Sequence, residues 1–215
     1  MFNLASNKNA VQRTYLQNSV TPEQVYDGVL GDFKDGYLFS GRIQSEIYAE
    51  DCTFTDPTLS FTGLSTFERN LESLRPALDF FLKDNACILY SIEHDKTQRK
   101  LYTKWRMCGD VRFPWNPRIE LQGNTVFSYS DTDTDSDSDS TRADTVTDNN
   151  TATEIGDGRV TSYYERWGIS ASKALLQLLT PCDDDSVREV CEQLKRKDPS
   201  IVNIHFASAG YRENM

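Results

Sequence analysis

"KWRMCGDVRFPWNPRIELQGNTVFSY", residues 104–129, decides how the chain is read. Its flanks alternate with the period of two that a half-buried strand requires, Trp105 pointing one way and Arg106 the other. Between them stand Pro114 and Pro117, which have no N–H to give a ladder and hold φ near about −65°. "FPWNP" therefore reads as a corner or bulge, where a sheet bends and one edge leaves the ladder. Trp115 supplies that corner with a large apolar anchor. The stretch is architectural first and a pocket rim second. Further on, Gly123-Asn124 inside "RIELQGNTVFSYS" carries a hairpin signal.

Working outward, "CILYSIEH" and "KLYTKWRM" alternate as strands and the polar "DKTQ" joins them as a hairpin turn. After the Gly156-Asp157-Gly158 turn, "GRVTSYYERWGI" enters a last long strand, and "SASKALLQLLTP" is a short amphipathic helix ended by Pro181. Helical signals dominate the first part. In "TPEQVYDGVLGDFKDG", Thr21 and Gln24 have capping-box spacing, Pro22 sits where a missing N–H costs nothing, and Val25, Val29 and Phe33 share a face. A second short helix is expected over Ile43–Tyr48, giving way to a short strand in "AEDCTFTDP". In "STFERNLESLRPALDFFL", Ser65 and Glu68 have capping-box spacing and Phe67, Leu71, Leu74, Leu78 and Leu82 mark a buried stripe, with Pro76 a kink or break.

The 215 residues suit one domain with extensions: an N-terminal arm over 1–20, a domain over 21–182, and a C-terminal helix and strand over 183–215. The stretch 130–155 is almost pure Ser, Thr, Asp and Asn. It cannot bury enough apolar area to offset its chain entropy and is expected to be a disordered insertion at a hairpin tip. Asp131, Asp133 and Asp135 match the first ligand positions of an EF-hand loop, but Ser136 and Arg142 stand where Gly and the bidentate Glu belong, which rejects a calcium site. Thr132, Thr134 and Ser136 each precede an Asp by three residues, so they are phosphorylation candidates for acidophilic kinases; a solubilising spacer accounts for the composition equally well.

A net charge of −10 excludes nonspecific nucleic-acid binding and disfavours anionic membranes. Five cysteines, odd in number and without a Cys-x-x-Cys pair, read as reduced thiols of an intracellular protein, with the cytoplasm expected. No apolar run reaches a bilayer span. The acid-free arm before Glu23, with Lys8 and Arg13, has a weak organelle-presequence look, against which a polar arm is the plainer reading.

Helices first and then an antiparallel meander argue for an α+β domain whose helices pack in the concave face of a curved sheet. That order resembles the nuclear transport factor 2-like (SnoaL-like) cone fold. Within it, "YAEDCTFTDP", "GLSTFERNLESLRP", the segment 104–129 and "GRVTSYYERWGISASKALLQLL" are together similar to the uncharacterised branch called domain of unknown function 2358, over roughly residues 21–182. The resemblance implies a cone-shaped pocket in which some members are enzymes and others only bind. It brings no activity for this branch. It also implies a homodimer through the sheet, which is common in the superfamily.

An enzyme needs placed acid–base groups. The catalytic candidates are Asp56 as base with Tyr48 as donor, and Glu165. Tyr48, Asp56, Trp105, Trp115, Arg118 and Trp167 are the pocket or ligand-binding candidates, with Asp51, Arg106 and Glu120 nearby in the pattern. Each has a structural alternative: Asp56 before Pro57 makes turns, and Arg106 with Glu165 suits a cross-strand ion pair on the outer face. His94, at a hairpin end, and His205, in the tail, are poorly placed for pocket chemistry. Relatives of this fold that are enzymes place His or a carboxylate with tyrosine inside the cone. The residues therefore favour a noncatalytic module for a small apolar ligand or a protein partner over an isomerase, dehydratase or hydrolase. No cofactor and no metal are expected. A partner surface would draw on Tyr102, Phe127, Tyr129, Tyr163 and Trp167. In the tail, Ser186 and Glu189 have capping-box spacing ahead of a Val187, Val190, Cys191, Leu194 stripe, and the tail either packs on its own domain or docks another chain.

Overall fold

The computed structural model describes residues 19–131, 157–182, 186–198 and 200–208. The candidate phosphorylation sites Thr132, Thr134 and Ser136 and nearly all of the acidic insertion lie outside the described residues.

Helix α1 (Pro22–Lys34) starts where the local chemistry says it should. Thr21 Oγ1 accepts the Gln24 N–H and Gln24 Oε1 accepts the Thr21 N–H, at 3.2 and 2.8 Å. It buries Val25, Val29 and Phe33 and is followed by the short α2 (Tyr37–Ser40) between two left-handed glycines, Gly36 and Gly41. A single 3-10 turn, Ser45–Ile47, replaces the second helix expected over Ile43–Tyr48. Strand β1 (Tyr48–Thr55) begins where that helix was to end, because Tyr48 already pairs with Val160. Strand β2 (Ser60–Thr62) folds back on β1.

Helix α3 (Leu64–Phe81) runs through Pro76 and starts at Gly63, not Ser65. The expected capping box does not form because Glu68 is engaged elsewhere, accepting the Ser45 hydroxyl, while the Gly63 carbonyl takes the Thr66 and Phe67 N–H groups. Phe67 and Leu71 are buried as the stripe requires, but Leu74 is 49% exposed.

The sheet then continues through β3 (Leu82–Asp95), β4 (Lys100–Val111), β5 (Arg118–Tyr129), β6 (Val160–Trp167) and β7 (Asn203–Ser208), in the order β2-β1-β6-β5-β4-β3-β7. Only β1 and β6 are parallel; the sheet is curved and does not close. Helices α4 (Ala171–Leu176) and α5 (Val187–Lys197) follow β6, with a 3-10 turn at Gln177–Leu179 between them. Among the described residues no helix is long and apolar enough to cross a membrane.

The hairpin expected at Gly123-Asn124 is not there. β5 passes straight through both residues, with Gly123 opposite Trp105 and Trp167 and Asn124 opposite Lys104 and Arg166. Glycine is needed at 123 for close approach and not for a turn. A Cβ there would lie 2.6 Å from the Arg166 carbonyl oxygen and 2.6 Å from Cζ2 of the Trp105 indole.

The sheet has two covered faces. Its concave face meets α1, α2 and α3 in the main core, which includes Phe33, Phe54, Phe67, Leu89, Leu101, Trp105, Phe127 and Tyr163. Against the convex face of β3 and β4 lies α5, where Val187, Cys191 and Ile201 pack on Ala86, Ile88 and Cys108. The tail thus lies on its own domain. β7 extends the sheet past β3, and Asn203 Nδ2 and His205 Nδ1 lie 3.4 and 2.9 Å from the α1 carbonyls of Phe33 and Lys34.

Candidate functional site

Strand alternation puts Tyr163, Glu165 and Trp167 on one face of β6, and that face points into the cone. Glu165 is consequently a buried carboxylate, 6% exposed. Three donors hold it: the Tyr163 hydroxyl and, more distantly at 3.5 Å, the Thr125 hydroxyl meet Oε2, while Trp167 Nε1 donates to Oε1 at 2.6 Å. Thr125 Oγ1 in turn accepts the Trp105 indole N–H at 2.9 Å, and the Tyr163 and Tyr37 hydroxyls are 2.8 Å apart. The result is a continuous hydrogen-bonded chain from α2 through β6 to β5 and β4.

No ion pair to Glu165 forms among the described residues. Burial raises its pKa above the ordinary carboxylate value, the repulsion of Asp56 acts in the same direction, and the three donors only partly oppose this. Burial likewise pushes the Tyr163 and Tyr37 hydroxyls well above the usual tyrosine value, with the Glu165 charge adding to it. The arrangement can accept or donate one proton at Glu165, and Tyr163 can pass a hydrogen bond on to Tyr37.

A second buried acid stands nearby in the fold. Asp32 of α1 accepts the Gln44 N–H at 2.7 Å and the Tyr48 hydroxyl at 2.9 Å. Burial pushes its pKa up to about 7, against the lowering effect of those two hydrogen bonds. Nothing in the local sequence announces Asp32, since a helical Asp is most often solvated. Its burial comes from the turn 41–47 folding over α1.

Among the candidates named from sequence, Glu165, Trp105 and Trp167 come together: Thr125 links Trp105 to Glu165, and Trp167 donates to Glu165 directly. Tyr48 and Asp56 do not pair. The Tyr48 hydroxyl is taken by Asp32, and Asp56 Oδ1 accepts the Thr58 and Leu59 N–H groups of its own turn, at 2.6 and 3.0 Å. Asp51 is exposed. Arg106 lies opposite Trp105 in the alternation, on the outer face, but its partner is Glu120 at 2.8 Å; Glu165 is on the inner face, out of that pair. Arg118 binds Asp110 at 2.7 Å, and Asp110 Oδ2 also accepts the first N–H of α5, from Val187. His94 Nε2 meets the Tyr129 hydroxyl at 2.8 Å, at the hairpin end. Of the aromatics considered for a partner surface, Phe127, Tyr129 and Tyr163 are buried and cannot serve one.

Trp115 is 42% exposed, and it works as a clamp. Its Nε1 donates to the Leu178 carbonyl at 2.8 Å, the Cys182 N–H reaches the Asn116 carbonyl at 3.2 Å, and Pro117 bridges to Pro181. Gln177 completes the attachment by mimicking a strand residue: its side chain accepts the Glu120 N–H and donates to the Glu120 carbonyl, both at 2.9 Å. The corner therefore holds the segment after β6 against the rim of the cone, where Trp167, Ile169, Ala174 and Leu178 are half-buried. Asn116 makes this possible in a left-handed conformation, φ 44°.

Comparison with known proteins adds a family resemblance over part of the chain and no activity. No curated protein matches the chain. Among solved structures, it is similar to a hypothetical protein with a ketosteroid isomerase-like fold from Catenulispora acidiphila, solved with trimethylamine, at 14% identity and TM-score 0.41, covering 78% of this chain and 100% of that one. An NTF2-like protein of unknown function from Exiguobacterium has 11% identity and TM-score 0.39, with 64% and 96% covered. The BvnE pinacolase from Penicillium brevicompactum has 7% identity and TM-score 0.42, with 70% and 86% covered. The family described as uncharacterized conserved protein (DUF2358) matches residues 30–134, from the end of α1 past the proline corner and β5. The chain is thus similar to DUF2358 over residues 30–134, and its described residues form a mixed α+β structure with a curved, unclosed sheet.

Proposed function

We propose that the cone is a receptor for a small, mostly apolar molecule with one hydrogen-bonding oxygen, seated against Glu165. One observation carries this reading: Glu165 is a buried carboxylate without an ion pair among the described residues, and only one of its donors, Trp167, is not itself buried. A buried charge that merely fills a core is normally paired or replaced by an apolar side chain. Displacing the Trp167 indole would open Oε1 to a ligand that supplies the lost hydrogen bond, while the surrounding aromatic side chains supply the apolar contact.

Native mass spectrometry of the protein purified from its own cells tests this. A bound molecule of a few hundred daltons, retained by wild type and lost in Glu165→Gln with the fold intact by circular dichroism, is the expected result. Ligand-free wild type that is also not stabilised by an organic extract of the same cells would overturn it.

The raised pKa of Glu165 favours a second reading, acid–base turnover of that same molecule, with Glu165 moving the proton and Tyr163 hydrogen-bonded to the oxygen. Chemical change of the bound molecule on incubation, abolished in Glu165→Gln, would distinguish turnover from binding.

A further inference from the structure

We propose that Cys108 and Cys191 are a disulfide-forming pair, an oxidative modification site that staples α5 to the convex face of the sheet. Their sulfurs lie 3.8 Å apart, both buried, one on β4 and the other on α5. A disulfide needs about 2.05 Å, so the two sulfurs must approach by just under about 2 Å for the bond to close. The site is otherwise apolar, lined by Ala86, Ile88, Val187 and Ile201. No other thiol competes at this position. Cys52 and Cys87 belong to the main core on the other side of the sheet, and Cys182 is beside the proline corner.

The two thiols are not equivalent. The hydrogen bond shared with Cys108 holds Cys191 below the ordinary thiol value, and the charges of Arg106 and Arg118 act in the same direction, while burial opposes them. Cys108 is held above its ordinary value. Cys191 rides on α5, the element that can open locally, so it is the thiol that meets an oxidant first, and Cys108 on β4 is the resolving thiol.

The oxidant is a small peroxide. The Cys191 thiolate attacks one peroxide oxygen, the O–O bond breaks, and the departing hydroxide takes a proton to leave as water, giving a sulfenic acid. Cys108 then loses its proton and attacks the sulfenic sulfur, and the hydroxyl leaves with that proton as a second water. Two thiols lose two electrons and hydrogen peroxide gains them. Access comes from local opening of α5, an 11-residue helix attached at its start by the Ser186–Glu189 capping box and the Asp110 acceptor.

The staple reaches the candidate site through the tail. β7 follows α5, pairs with β3, and its Asn203 and His205 side chains lie on the Phe33 and Lys34 carbonyls, directly after Asp32. Cross-linking α5 to β4 shortens the tether that holds this support in place.

The full chain, reduced and then treated with hydrogen peroxide, is alkylated and measured by intact mass and peptide mapping. Expected are a monomer two hydrogens lighter, alkylation of three of its five cysteines, and a Cys108–Cys191 cross-linked peptide that survives in Cys182→Ser. In Cys108→Ser, a dimedone adduct should appear at Cys191. Proteolysis within 187–197 should slow by roughly tenfold on oxidation and recover with dithiothreitol. Stable oxygen adducts without a cross-link, a cross-link through Cys182, or five alkylated thiols after peroxide would each overturn the proposal.

Discussion

Replacing Asp32 by asparagine should flatten part of the pH dependence of stability. Asp32 is 3% exposed, accepts two hydrogen bonds, and faces Asp35 and Glu46, whose charges add to the effect of burial. Its pKa rises from 3.8 toward about 7 on folding. The native state therefore binds this proton more tightly than the unfolded chain. That contribution is fully present below about pH 4 and is lost as pH rises through about 7. The gap of about 3 pH units corresponds to roughly 4 kcal/mol at 1.36 kcal/mol per unit, an upper bound because the site can relax around the charge. Between pH 5 and 8, above the pI near 4.7, about 2 kcal/mol of it should be measurable. The substituted side chain can keep both contacts, its amide oxygen accepting from Gln44 and its amide nitrogen donating to the Tyr48 oxygen. Urea unfolding at fixed ionic strength would give the stability difference between Asp32→Asn and wild type at each pH, and the other titrating groups cancel in that difference. It should grow by about 2 kcal/mol in favour of the variant from pH 5 to 8. Parallel curves would refute the reasoning and mean that Asp32 is solvated in the native state.

Other perturbations follow from the same geometry. Gly123→Ala should cost about 2–3 kcal/mol by urea denaturation, because the new methyl meets a backbone oxygen and the buried Trp105 ring; a cost below about 0.5 kcal/mol would show that the indole repacks freely. Tyr163→Phe removes one of three donors from the buried Glu165 carboxylate and should cost about 1–3 kcal/mol by urea denaturation. Trp115→Ala should change global stability by no more than about 1 kcal/mol, yet speed amide exchange in 171–181 about tenfold, since it releases the clamp on Leu178 and leaves the core intact.

The sequence carried the local devices well. The Thr21–Gln24 and Ser186–Glu189 caps are satisfied within one turn, so no distant residue can overrule them. Ser65–Glu68 has the same spacing and fails, because Ser45, twenty-three residues away, takes the Glu68 carboxylate. Gly123 shows the same limit: glycine next to asparagine signals a turn, and only the register of β4 and β5 reveals a glycine made necessary by Trp105. For Glu165, alternation with Tyr163 and Trp167 was available to place it inside. The competing idea, an outer ion pair with Arg106, needed the cross-strand register to be rejected, since Glu120 holds that position. Tyr37 and Asp32 had no local signal at all. Their roles depend on α1 and α2 being folded against β6 and β1, a contact across more than a hundred residues in the case of Tyr37 and Tyr163.

The prolines of "FPWNP" make sense once the segment after β6 is included. By leaving the ladder, the corner gives up two backbone donors, but it frees the Asn116 carbonyl and turns the Trp115 indole toward Leu178, so that it grips residues 177–182 from outside the sheet. That grip lies one short helix beyond Trp167, whose indole is the half-buried donor on Glu165. A strand in place of the corner would satisfy its own hydrogen bonds and leave Leu178, Ile169 and Ala174 without a fixed seat at the rim. The corner therefore positions the segment that any molecule approaching Glu165 past Trp167 would have to meet, and a change at Trp115 should alter access to the carboxylate without touching the carboxylate itself.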